Sequence, residues 1–136
     1  MFYIGTQSPS GCGFPCRDAL NSEFDDLFGP DDLVMINCSS VSLQLCWPGY
    51  PDWGRQIPTR DSRISGPITR TKLVKSVAQT IQRFIEDMEW RELEEGADPC
   101  FKVGPEYVDI DDLEVLGLQN VGMGNWQIHV RVRPRA

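Results

Sequence analysis

The chain predicts an α+β domain: a two-layer sandwich in which two β-hairpins flank one long amphipathic helix and merge into an antiparallel sheet beneath it. Three observations carry that prediction. Residues 68–90 hold the longest run with helical periodicity. The segments on either side alternate apolar and polar side chains with a period of two. Turn signals rich in Gly, Pro and Asn separate those segments. An all-helical fold is the losing alternative, because the flanking segments have the wrong period.

In the helix, Leu73, Val74, Val77, Ala78, Ile81, Phe84, Ile85 and Met88 recur at steps of three and four, which is one apolar stripe. Arg70, Lys75, Gln79, Gln82, Arg83 and Glu86 fall mostly on the other side. Gly66-Pro67 punctuates the start, and Thr69 or Thr71 is placed to cap it. Glu92 to Glu95, then Gly96 and Pro99, stop the pattern.

Of the first hairpin, Leu33-Val34-Met35-Ile36 reads as a buried strand. Val41, Leu43, Leu45 and Trp47 then alternate with Ser42, Gln44 and Cys46 as a half-buried one. Cys38-Ser39-Ser40 between them is either a hairpin turn or a bulge in one longer strand, with the turn preferred. An aromatic–proline loop, Trp47-Pro48-Gly49-Tyr50-Pro51-Asp52-Trp53, follows, and a basic loop with Arg55, Arg60 and Arg63 leads to the helix. After the helix, 107–110 is extended and Asp111-Asp112-Leu113 is a turn. The second hairpin pairs 114–120 with 126–132, where Trp126, Ile128, Val130 and Val132 alternate with Gln127, His129, Arg131 and Arg133. Gly122-Met123-Gly124-Asn125 supplies its turn. Residues 1–32 read as an N-terminal arm on the core, and 33–136 as the single α+β domain.

At 136 residues there is room for one domain with its own core. The net charge of −7 disfavours a role in coating nucleic acid, where a basic balance is expected. No apolar run approaches the roughly eighteen residues a membrane helix needs, and the N-terminus lacks the basic and apolar regions of a signal peptide. An intracellular, cytoplasmic protein without a membrane role is expected. Five cysteines at irregular spacing fit a reducing compartment better than a disulfide framework. Asn37-Cys38-Ser39 matches the glycosylation acceptor pattern, but in this context it carries little weight.

None of the chemical constellations is complete. Cys12-Gly13-Phe14-Pro15-Cys16 has three intervening residues where a redox dithiol favours two, and no spaced second pair completes a zinc site. His129, the one imidazole, lies on the polar face of its strand with no nucleophile in sequence context. Asp109, Asp111, Asp112 and Glu114 lack the pattern of a calcium loop. No catalytic residue, metal site or cofactor is assigned. More informative are Trp47, Tyr50 and Trp53, because rigid amphipathic aromatics favour binding surfaces, although the reading that they fold back to cover one open end of the sandwich stands ahead. Charge is also segregated: 55–83 is basic and 86–114 acidic.

The loop bearing Trp47 and Trp53, Pro67-Ile68-Thr69-Arg70, and Met123-Gly124-Asn125-Trp126-Gln127 together resemble small proteins of mushroom-forming fungi over about two-thirds of the chain. The resemblance implies a fungal-like source and brings no activity or site residues.

The reading is a non-enzymatic protein-interaction or assembly module, self-associating or held by a protein partner. Its candidate surface is Trp47, Tyr50, Trp53, Arg55, Arg70 and Lys75. The alternative is a small ligand-binding protein or enzyme with its pocket between the sheet and the Trp47–Trp53 loop, using Cys46 or His129. A third reading, nucleic-acid binding through Arg55 to Lys75, is the least favoured.

Overall fold

The computed structural model describes residues 2–3, 13–34, 39–61 and 66–133. In chain order its elements are strands β1 (Phe2–Tyr3) and β2 (Phe14–Pro15), short helix α1 (Cys16–Leu20), and strands β3 (Ser40–Leu45), β4 (Trp53–Pro58), β5 (Arg60–Asp61) and β6 (Gly66–Pro67). The long helix α2 (Arg70–Met88) follows, then 3-10 turns at Pro99–Phe101 and Ile110–Asp112, and strands β7 (Leu113–Gly122) and β8 (Asn125–Val132).

Thr69 opens α2 as its extended N-cap, its hydroxyl accepting the Lys72 N–H at 3.3 Å and so satisfying one of the free first-turn donors. All eight apolar residues of the stripe are buried, and Thr80 joins them by donating its hydroxyl to the Ser76 carbonyl at 2.8 Å. The helix ends at Met88.

The main sheet runs β1-β7-β8-β3-β4, with β2 also pairing along β7. In β3, Val41, Leu43 and Leu45 are buried while Ser40, Ser42 and Gln44 are partly exposed, so the predicted alternation turns one face into the core. Ile57, Val115, Leu118 and Ile128 add to that face, and α2 covers it. The β7–β8 hairpin turns at Met123-Gly124, with Gly124 at φ 70°, a conformation that glycine adopts at little cost.

The expected sheet differs from the observed one in two respects. Strand β3 pairs with β4, Val41 opposite Ile57 and Leu45 opposite Trp53, so the aromatic–proline loop is itself the hairpin connection and Arg55 belongs to a strand. Leu33 forms a bridge to Thr69 instead, and residues 35–38, where the other strand of the expected hairpin and its turn fall, lie outside the described residues. Period-two alternation identifies a strand without naming its partner; burial decides that.

The sheet is also mixed. Strands β3 and β8 run parallel, with Leu43 opposite Trp126. Both hairpins are antiparallel internally, and with β7 beside β3 the whole sheet would have been antiparallel. Placing β8 inside instead leaves the outer edge of β7 for β1 and β2. Through them the N-terminal segment reaches the sheet, while Phe14, Cys16, Ala19 and Leu27 join the same buried cluster as α2.

Candidate interaction surface

Trp47-Pro48-Gly49-Tyr50 is a tight turn closed by the Tyr50 N–H on the Trp47 carbonyl at 3.2 Å, with Gly49 at φ 90°. Proline second and glycine third is the chemistry of a type II turn, because only the third residue must adopt positive φ. The turn throws its aromatics inward. Trp47 and Tyr50 are 6% and 5% exposed and, with Trp53, surround Phe84, their ring centroids 6.5, 6.0 and 5.8 Å from it. The Trp47 indole donates to the Phe101 carbonyl at 2.6 Å, and the Tyr50 hydroxyl accepts the Val103 N–H at 3.1 Å. The segment after α2 is thereby clamped over the loop. Both ring systems are core residues with satisfied polar ends.

Trp53 stands apart. Partly buried, it opens β4 and donates its indole N–H to Asp87 of α2 at 3.2 Å. Beside it lies a cleft of about 410 Å³ lined by Trp53, Gly54, Arg55, Arg83 and Asp87. Arg83 and Asp87 approach to 3.8 Å across one helical turn. Arg55 is exposed and makes no ion pair or hydrogen bond among the described residues. Two guanidinium groups against one carboxylate leave the cleft with a local positive charge on an acidic protein.

Arg70 and Lys75 are elsewhere. They lie on the first half of α2 and meet the N-terminal segment: Arg70 comes within 3.9 Å of Asp32, and the Lys75 ammonium donates to the Ser22 hydroxyl at 2.7 Å. The six predicted surface residues therefore divide into a buried pair (Trp47, Tyr50), a pair at β4 in which Trp53 is half-buried against Phe84 and Arg55 is exposed, and a pair holding the N-terminal segment. Lys72 pairs with Asp61 at 3.0 Å, so part of the basic run is compensated within the chain.

The remaining chemical candidates have structural occupations. Asp109 accepts from the Ile110 N–H at 2.8 Å while Asp112 accepts from the Asp109 N–H at 3.0 Å, which caps the 3-10 turn. Asp111 pairs with Arg17 at 2.6 Å, an arrangement that raises the guanidinium pKa chiefly through the hydrogen bond. Glu114 takes Arg131 and Arg133. Among the described residues no three His, Cys, Asp or Glu side chains converge as metal ligands.

Cys46 and His129 do share the lining of one cleft of about 230 Å³. Partial desolvation, then the nearby Asp52 carboxylate, pushes the exposed Cys46 thiol up, the direction opposite to that which activates a cysteine nucleophile. His129 Nε2 is engaged by Gln119 at 2.8 Å. Cys16 is buried and pushed up to about 12 by desolvation and then by Glu114. Cys12, Asn37, Cys38 and Arg63 lie outside the described residues.

Sequence reasoning missed Gly54, Arg83 and Asp87 as companions of Trp53 and Arg55. Pro58 at the end of one short run was the available signal, since proline within a strand suits an edge. None of the described helices is long and apolar enough to cross a membrane. No protein-family model, characterised protein or solved structure matches the chain.

Proposed function

We propose that the protein is a non-enzymatic protein-interaction module that engages its partner at β4 and the cleft beside it. The observation that carries this reading is the exposed Arg55, which has no partner among the described residues, in a positively biased cleft at the last strand of the sheet order, next to the half-buried Trp53. Partly desolvated Trp and Arg side chains are the residue types over-represented among interface hot spots. The clamped core behind them holds that surface rigid, which lowers the ordering cost of association.

Affinity capture with Arg55→Glu and Trp53→Ala, set beside light scattering at low and high salt, tests it. A partner or self-assembly lost in both variants, and weakened by salt in the native protein, is expected. A monomer at every salt concentration that captures nothing, or capture unaffected by either substitution, refutes it.

A further inference from the structure

The ladder between β3 and β4 fixes which way each main-chain group of β4 points. Thr59 donates to the Ser39 carbonyl at 2.9 Å, continuing the register Val41–Ile57 and Leu43–Arg55. Antiparallel pairs alternate between bonded and non-bonded. Residues 53, 55 and 57 therefore bond toward β3, while the N–H and C=O of Gly54 and Gln56 point away from the sheet. Pro58 occupies the same outward series, where its missing N–H costs no ladder bond. No described strand pairs with this edge.

The edge is also flanked on both faces. On the helix side is the 410 Å³ cleft with Arg55, and on the other side a cleft of about 240 Å³ lined by Gln44, Asp52, Trp53 and Gly54. An added strand places alternate side chains on opposite faces, so each set meets a depression. Gly54 carries no side chain, and a Cβ there would press on the Leu43 carbonyl of β3 at 3.1 Å, so the glycine serves the β3–β4 contact.

Resting on the interaction-module reading, we infer that β4 accepts an extended strand from a partner protein by antiparallel β-augmentation, with an acidic side chain opposite Arg55. Gly54 and Gln56 bond the incoming main chain. Arg55 then sits in a non-bonded pair, where opposing side chains come closest. The positive bias of the cleft selects a carboxylate there. A second copy fits less well. The self-pairing register that satisfies both N–H and both C=O groups of Gly54 and Gln56 sets Arg55 of one copy against Arg55 of the other, and like charges directly opposite are destabilising.

The test uses the full chain and synthetic heptapeptides Thr-Val-Thr-Glu-Thr-Val-Thr and Thr-Val-Thr-Lys-Thr-Val-Thr, read by fluorescence anisotropy. The glutamate peptide is expected to bind about fivefold more tightly than the lysine peptide, and Arg55→Glu reverses that order. N-methylation of the two residues flanking the glutamate abolishes binding, a readout that does not depend on any protein variant folding. Gln56→Pro does the same on the protein side. Equal affinity for both peptides, or binding that survives N-methylation, overturns the inference. A protein that binds neither peptide but still loses its captured partner in Arg55→Glu overturns the strand while leaving the interaction surface standing. Sedimentation as a dimer that Gln56→Pro dissociates assigns the edge to self-pairing and also overturns it.

Discussion

Truncating Trp47 to alanine separates its two roles, core residue and binding surface, by energy alone. The indole is 6% exposed, packs on Phe84 and Phe101 at centroid distances of 6.5 and 6.2 Å, and donates to the Phe101 carbonyl. Trp47→Ala removes the buried ring and leaves that acceptor without its donor, so a loss of about 3–5 kcal/mol is expected. For a domain whose total stability is on the order of 5–15 kcal/mol, this is a large fraction. Trp47→Phe keeps most of the apolar contact and removes the donor, so it isolates the polar part at about 1–3 kcal/mol. Trp53→Ala, at a partly exposed position whose hydrogen bond is to an exposed carboxylate, costs less than Trp47→Ala. Urea unfolding followed by circular dichroism, with the slope checked to be unchanged, gives all three values. A Trp47→Ala cost below about 1 kcal/mol, within the range of ordinary surface changes, refutes the assignment of Trp47 to the core. So does a Trp53→Ala cost exceeding that of Trp47→Ala.

Three further outcomes follow from single positions. Thr69→Ala removes the N-cap of α2 and is expected to cost about 1 kcal/mol in the same assay, with Thr69→Ser close to neutral. Gly49→Ala forces a side chain into a residue at φ 90° and into Leu93 Cδ2, so it lowers stability by about 1–3 kcal/mol through backbone strain and the clash. The Cys16 thiol, held neutral in the fold with its pKa at about 12, ionises more readily once unfolded. Its contribution is complete below the unfolded value near 9 and is lost as pH rises toward 12, at about 1.4 kcal/mol per pH unit. Urea midpoints measured between pH 8 and 11 are expected to fall, and Cys16→Ala to flatten that fall; an unchanged slope in the variant contradicts the assignment.

By itself the sequence determined the local elements whose signal is periodic. The stripe from Leu73 to Met88 specifies α2 because every third or fourth residue must meet the same surface. Thr69 and Thr71 mark where α2 begins, because an unpaired first-turn N–H needs an oxygen, and the fold then chose Thr69 while Thr71 donates to the Pro30 carbonyl. Gly122 to Asn125 specifies the β7–β8 turn, because positive φ is inexpensive only for a few residue types.

Tertiary structure decided what those elements do to each other. The alternation from Val41 to Leu45 is the same whether β3 pairs with residues upstream or with Trp53–Pro58, and only the pairing of Leu45 with the half-buried Trp53 and of Val41 with the buried Ile57 separates the two. Each hairpin is compatible with a parallel or an antiparallel junction, and the choice of β8 as the inner strand settled it. Trp47, Tyr50 and Trp53 read alike in the chain, three aromatics within seven residues. A type II turn and the Phe101–Val103 clamp send two of them into the core, while Trp53 begins the edge strand beside Arg55. Side-chain chemistry is written residue by residue, but exposure is a property of the surface that the rest of the chain leaves uncovered.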